Sequence, residues 1–310
     1  MGMVSQGPVV MTRGRTVSIA WSRRLAQSSL LGLGLVLAWG CTQPAATASR
    51  PFRLAITDVE GLEQLQREFG AFRDLLQQHT GLTIELFPVS DRTAAVAALE
   101  NAQIDLVLTG PAEYVIFQSR TDVRPVAGLY RPDYTAVFLV RKQDAIGSLA
   151  ELRGRKLAMG PLASTSKHLA PLQMLADAGV APTEIEPFHT GVRPGWEALV
   201  RGDVGAFATT KDKWLLLNDA EPQAGIVLLA ESAPLPMDVL LARAEVPTAI
   251  TDAIRNAISE SSDAFVAAIL TGEDNQKYRG MQFRLEISDA DYDVVRAMFR
   301  SAGLDQFATP

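Results

Sequence analysis

The densest grouping of chemically capable side chains in this 310-residue sequence is Ser164-Thr165-Ser166-Lys167-His168. It offers three hydroxyls, an ammonium and an imidazole in five consecutive positions. A strand-like run, residues 155–159, leads into it, and Leu169, Leu172 and Leu175 follow at helical spacing. Hydroxyls and leading backbone N–H groups at a strand-to-helix turn make a ready site for an anion. The same residues would also serve as an ordinary helix N-cap. Pro171 has no N–H and would clash with the carbonyl of Lys167 in a regular helix begun at Ser166. The spacing therefore predicts a loosened first turn, or a helix proper that starts near Pro171. A hydrolase is the competing chemistry, with Ser166 and His168 as the pair. No Gly-x-Ser-x-Gly elbow accompanies them, and two residues of separation is not a nucleophile–base geometry. His79, His168 and His189 are dispersed without zinc spacing, and Cys41 is the only cysteine. No metal, cofactor or disulfide is expected.

The elements that must position this turn follow a regular order. After Pro51, short apolar strands alternate with amphipathic helices. Residues 53–57 read as a strand, and Leu62, Leu65, Phe69, Phe72, Leu75 and Leu76 then share a helical face closed by Gly81. Residues 82–87 and 104–108 are strand-like. Asp91 can cap the helix between them, and Gly110-Pro111 opens another. Two further strands, residues 123–130 and 134–140, flank Arg131-Pro132-Asp133. A second βα series runs from Arg141 to Ala230, and the chain beyond Pro247 reads as helical. It ends in a helix with the capping box Ser288-Asp289-Ala290-Asp291. This alternation implies an α/β fold with largely parallel sheets. Polar breaks near residues 142 and 235 suggest two lobes joined by two crossings: residues 52–141 with 236–310, and residues 142–235. A ligand would lie in the cleft between them, at strand C-termini.

The N-terminal residues 1–40 carry four arginines and no acid, then an apolar run from Leu30 to Trp39. This is the pattern of an export signal, too short to span a membrane. Cleavage could fall at a lipobox-like Leu37-Ala38-Trp39-Gly40-Cys41 or at Ala46-Thr47-Ala48. The lipobox is favoured because it uses the single cysteine, Cys41, as the lipidated residue. Residues 41–51, rich in Ala, Thr and Pro, would be a tether. Loss of the four arginines takes the formal charge from −6 to −10. An acidic extracytoplasmic domain argues against nucleic acid and against a polybasic membrane contact. The membrane would be met only through the lipid anchor.

Several segments in order give the sequence a family resemblance. Residues 104–115 (IDLVLTGPAEYV), 149–158 (LAELRGRKLA), 164–171 (STSKHLAP), 236–238 (PMD) and 288–296 (SDADYDVVR) resemble the periplasmic phosphonate-, phosphite- and phosphate-binding proteins of ABC importers. The resemblance covers nearly all of residues 52–305. It implies a two-lobe, type II periplasmic-binding-protein fold, a small oxyanion ligand, an inner-membrane ABC permease as partner, a monomeric state and no enzymatic activity. It implies that Ser164, Thr165 and Ser166 bind the oxyanion and that Tyr134 donates its O–H to it. His168 is taken as a further contact of the same turn. Asp212 and Asp238 match acidic positions facing the ligand, Asp212 having a helix cap as its other reading. Arg92 stands where the family has a ligand-binding tyrosine, and either bonds the oxyanion bidentately or points to solvent. The family's ligand histidine is missing at Thr190-Gly191-Val192-Arg193, and an aspartate is replaced by Gly205. These departures favour phosphite, methylphosphonate or phosphate over an aminoalkyl phosphonate. A sensor that partners a membrane histidine kinase is the alternative role for such a binding protein.

Overall fold

Period-two and period-3.6 apolar patterns place the elements of the chain. The computed structural model describes residues 50–308 apart from Asp58, Glu60 and Asp91, and without the side chains of Arg92 and Thr93. The export signal, most of the tether, Cys41, the cap at Asp91 and the side chain of Arg92 lie outside the described residues. The first series is β1 (Phe52–Ile56), α1 (Leu62–Thr80), β2 (Ile84–Leu86), α2 (Arg92–Glu100), β3 (Leu106–Thr109), α3 (Pro111–Arg120) and β4 (Val123–Tyr130). The second is β5 (Ala136–Arg141), β6 (Lys156–Met159), a single π-helical turn (Thr165–Leu169), α4 (Ala170–Asp177), β7 (Glu186–His189), α5 (Val192–Arg201), β8 (Ala206–Thr210), α6 (Lys211–Ala220) and β9 (Ile226–Glu231). The chain then returns through β10 (Asp238–Arg243), α7 (Thr248–Glu260), α8 (Ser262–Ile269), β11 (Gln282–Arg284) and α9 (Asp293–Ser301).

Two mixed sheets result, one per lobe, in orders β11-β4-β10-β3-β1-β2 and β7-β6-β8-β5-β9. Each holds three parallel strands, then one strand inserted antiparallel, then a fourth. The inserted strands are β10 and β5, the first strands made after each passage between lobes. Because each enters against the local direction, only four of the nine strand pairings among the described residues are parallel, rather than most of them. The first crossing also comes earlier than the sequence suggests. Residues 136–140 are fully buried and apolar, as a central strand requires, and they pair in the second sheet. The break is therefore Arg131-Pro132-Asp133; Lys142–Asp144 is only a short 3₁₀ turn. The two crossings run side by side: Leu235 N–H donates to Tyr134 O (2.9 Å) and Ser232 N–H to Ala136 O (2.8 Å). The helical stretch after Pro247 divides at Ser261, and β11 is an unanticipated edge strand.

Packing follows from the amphipathic faces. In α1, Leu65, Phe69, Phe72 and Leu76 cover the first sheet, and Gly81 ends the helix at φ 69°, in the left-handed region that glycine adopts without strain. The capping box forms as expected, with Ser288 Oγ accepting from Ala290 N–H and Asp291 accepting from Ser288 N–H. Beyond it, Val295, Met298 and Phe299 of α9 share one core with Leu169 and Ala170, so the last helix packs against elements of both lobes.

Phe72 is 1% exposed. Phe72→Ala is expected to cost about 3–5 kcal/mol, read as a lower urea midpoint with an unchanged slope. A shift no larger than the ~0.5 kcal/mol of a surface substitution would mean that α1 does not carry this core.

Candidate functional site

Strands β3, β6 and β8 each end at the cleft and each hand over to a helical start. After β3, Gly110 caps α3, with Pro111 in its first turn. After β6, Ser164 precedes the π-helical turn. After β8, Thr210 precedes α6. These starts converge on a cavity of about 80 Å³. A helix start presents backbone donors and the positive end of the helix dipole, so the convergence favours an anion. The space suits a few waters or a compact tetrahedral ion. Its lining carries the cations Arg131, Lys167, Lys213 and Lys277 against Glu113, Asp212 and Asp238, an excess of one positive charge in a protein of net charge −6.

The hydroxyl turn has the loosened geometry that Pro171 predicts. His168 N–H and Leu169 N–H both donate to Ser164 O, and Ala170 N–H donates to Thr165 O across the π-turn. Lys167 O, which Pro171 cannot use, accepts instead from Gly160 N–H at 2.9 Å. Gly160 allows that approach, since a Cβ there would lie 2.4 Å from Lys167 Cβ. Ser164, Thr165 and Ser166 are buried. Thr165 Oγ1 accepts from Ala112 N–H at 3.0 Å, a bond from one lobe to the first turn of α3 in the other. Its hydroxyl proton is thereby directed elsewhere.

One wall is an ion pair on the crossings. Arg131 Nη2 donates to Asp238 Oδ1 (3.0 Å), and Tyr278 Oη donates to Asp238 Oδ2 (2.9 Å). The guanidinium carbon lies 3.4 Å from the centroid of the Tyr134 ring and 5.5 Å from that of Tyr278. Burial alone would lower the Arg131 pKa, but the Asp238 charge and the two tyrosines outweigh it and raise it above the usual value, so Arg131 is a fixed cation. Both oxygens of Asp238 are already engaged.

Of the residues singled out from sequence, Ser164, Thr165, Ser166, Tyr134, Asp212 and Asp238 all line the cavity. His168 does not. Its ring turns back behind the turn, where Nδ1 accepts from Ala163 N–H at 3.2 Å. It thereby holds Ala163 at φ 60°, a strained conformation for a residue with a side chain. Its neighbour His189, with ring centroids 5.1 Å apart, donates Nδ1–H to Gly160 O. His168 is thus a support of the turn rather than a contact of the cavity. Sequence reasoning passed over Arg131, Gly110, Glu113 and Lys277. Arg131 sat in plain view beside Tyr134 but read as a turn residue, and Glu113 carried no separate reading within the segment 104–115. No group of His, Cys, Asp and Glu that could hold a metal occurs among the described residues, and none of their helices is long and apolar enough to cross a membrane.

Residues 54–279 match a family model described as "ABC transporter, phosphonate, periplasmic substrate-binding protein". The phosphate-import protein PhnD of Mycolicibacterium smegmatis is 23% identical over 287 residues, covering 83% of this chain and 88% of that protein. The structure of PhnD1 from Prochlorococcus marinus in complex with methylphosphonate is similar, with a TM-score of 0.65 and 18% identity over 82% of this chain and 98% of that one. The periplasmic aliphatic sulphonate binding protein SsuA from Escherichia coli has a TM-score of 0.57 and 18% identity, over 83% and 87% of the two chains. At these identities the two structures speak to the fold, which is that of two-lobe, type II periplasmic binding proteins.

Burial, and secondarily the neighbouring His189, lower the His168 pKa to about 4. The unfolded chain, with an ordinary histidine near 6.5, then binds more protons than the folded one between those values. Stability from this group is complete above pH ~6.5 and is lost as pH falls toward 4. His168→Asn keeps an acceptor for Ala163 N–H and should flatten the fall in melting temperature over that window. An unchanged profile would show that His168 is not the group responsible.

Proposed function

The chain belongs to the periplasmic phosphonate substrate-binding proteins of ABC transporters, and we propose that it captures a small phosphorus oxyanion and delivers it to a membrane permease. Phosphite, methylphosphonate and phosphate are the intended ligands, held between the lobes by the hydroxyls and N–H groups of residues 164–166. The observation that carries this reading is the convergence of three helix starts and three buried hydroxyls on one small, net-positive cavity. Each charge-assisted hydrogen bond made there is worth roughly 1.5–3 kcal/mol, and binding requires no covalent chemistry. The bond from Ala112 N–H to Thr165 Oγ1 favours closure, because it joins the lobes beside the anion.

Three features support a small anion over an aminoalkyl phosphonate. Asp238 is neutralised by Arg131 and Tyr278 and offers no open carboxylate to an ammonium group. Arg193, in the segment where the family's ligand histidine is missing, is half-exposed and bonded to Glu197 and Glu221. Gly205 lies against the Arg155 side chain, away from the cavity lining. In the cell the protein would work outside the cytoplasmic membrane as a monomer, held by lipid on Cys41.

Thermal melts with phosphite, methylphosphonate, phosphate, aminoethylphosphonate and sulfate test the assignment. A cognate ligand at a hundred times its Kd adds about 2.7 kcal/mol of stability. Shifts with the small phosphorus oxyanions are expected, and no shift with any of them would overturn the proposal. Ser164→Ala and Thr165→Ala are each expected to weaken binding about ten-fold or more, from the loss of one charge-assisted bond. Unchanged affinity in both would reduce residues 164–166 to a helix cap.

A further inference from the structure

The approach to the hydroxyl turn carries two features that anion binding does not use. Leu162 is large and apolar yet 67% exposed. Ala163, next to it, has a positive φ of 60°. Ser164 N–H donates to Pro161 O (3.1 Å), so residues 161–164 form a tight turn with Leu162 and Ala163 at its centre. A positive φ in the third position of such a turn favours glycine or asparagine. Here alanine is held there instead, with its N–H on His168 Nδ1. What alanine has and glycine lacks is a methyl group, and Ala163 lines a second cavity, of about 130 Å³. Leu162 lines it too, from the same lobe, while Val96 of α2, Ile116 of α3 and Phe307 line it from the other. Its two charged residues are Glu113 and Arg120, seven positions apart on the α3 face that carries Ile116, and Arg120 is paired with Glu100 at 3.4 Å. Glu113 also lines the anion cavity, and Ala163 adjoins Ser164 in the chain, so the two cavities are neighbours at the start of the hydroxyl turn.

We propose that this second cavity receives the hydrocarbon substituent of an alkylphosphonate whose phosphonate group is held by residues 164–166. The proposal rests on the oxyanion reading above and extends its ligands beyond methylphosphonate. Small-molecule sites pair a few convergent polar groups with a mainly apolar wall. The anion cavity supplies the first and the Leu162–Ile116 cavity the second. An apolar chain placed there covers Leu162, and it touches both lobes, so it favours their closed arrangement. The strained turn at Ala163 thereby acquires a use: it presents Leu162 and a methyl group beside the phosphonate.

Calorimetric titration of the purified protein with methyl-, ethyl-, propyl- and 2-aminoethylphosphonate tests the assignment. Each buried methylene tightens binding about four-fold, so propylphosphonate should bind about ten- to twenty-fold more tightly than methylphosphonate. The aminoethyl compound, equal in length to the propyl one but charged, should bind more weakly than it. Leu162→Ser and Ile116→Ala remove apolar surface from the two lobes in turn. Each should lower the propyl-over-methyl ratio about three-fold, a quantity that general weakening of anion binding does not move. Leu162 is exposed, so its replacement tests the idea without endangering the fold. If methylphosphonate binds and longer chains bind no better, or the aminoethyl compound binds more tightly than the propyl one, the cavity does not take a hydrocarbon chain and the oxyanion reading stands. A propyl-over-methyl ratio kept by both variants would overturn the assignment to this cavity. If the wild-type protein binds no phosphonate at all, both readings fall.

Discussion

The Arg131–Asp238 ion pair is the contact on which the cleft depends. Arg131 follows the last residue of β4 on the outward crossing, and Asp238 is the first residue of β10 after the return. Their bond ties together the two passages between lobes at the wall of the cavity. Pairs buried this deeply add little net stability over an apolar equivalent, but removing one partner leaves an uncompensated charge and costs about 3–5 kcal/mol. The pair fixes geometry instead. It holds a cation under the Tyr134 ring and occupies both oxygens of Asp238, an aspartate that could otherwise attract an ammonium group. The crossings, the local electrostatics and the proposed choice of ligand thus meet in one interaction.

Around that pair the lobes repeat one design. In each, three parallel strands are followed by a strand inserted from the other side of the crossing. In the first lobe the strand beside the inserted one, β3, leads directly into α3; in the second, β8 leads directly into α6, and its neighbour β6 leads into the hydroxyl turn. Dipoles and leading N–H groups of both lobes therefore point into the same small volume. The last helix, α9, packs against both halves of this arrangement.

Much of this was legible in the chain because it is local. Alternating strand and helix patterns gave the α/β class, the hydroxyl run marked the turn, and Pro171 foretold its loosened first turn. What escaped was non-local. Asp238 is engaged by residues 107 and 40 positions away, which no spacing rule reaches. Residues 136–140 were assigned to the wrong lobe because a buried central strand has the same apolar pattern in either sheet. His168 was read as a ligand contact because sequence does not give the direction of a ring. Glu113 was missed because a first-turn glutamate is also what a helix dipole prefers.

A crystal structure of the protein grown with phosphite or methylphosphonate is the most direct test of the site. The oxyanion is expected within hydrogen-bond distance of Ser164, Thr165 and Ser166, with Asp238 still bonded to Arg131 and Tyr278. A ligand bound elsewhere, or one held by Asp238 with Arg131 released, would contradict it.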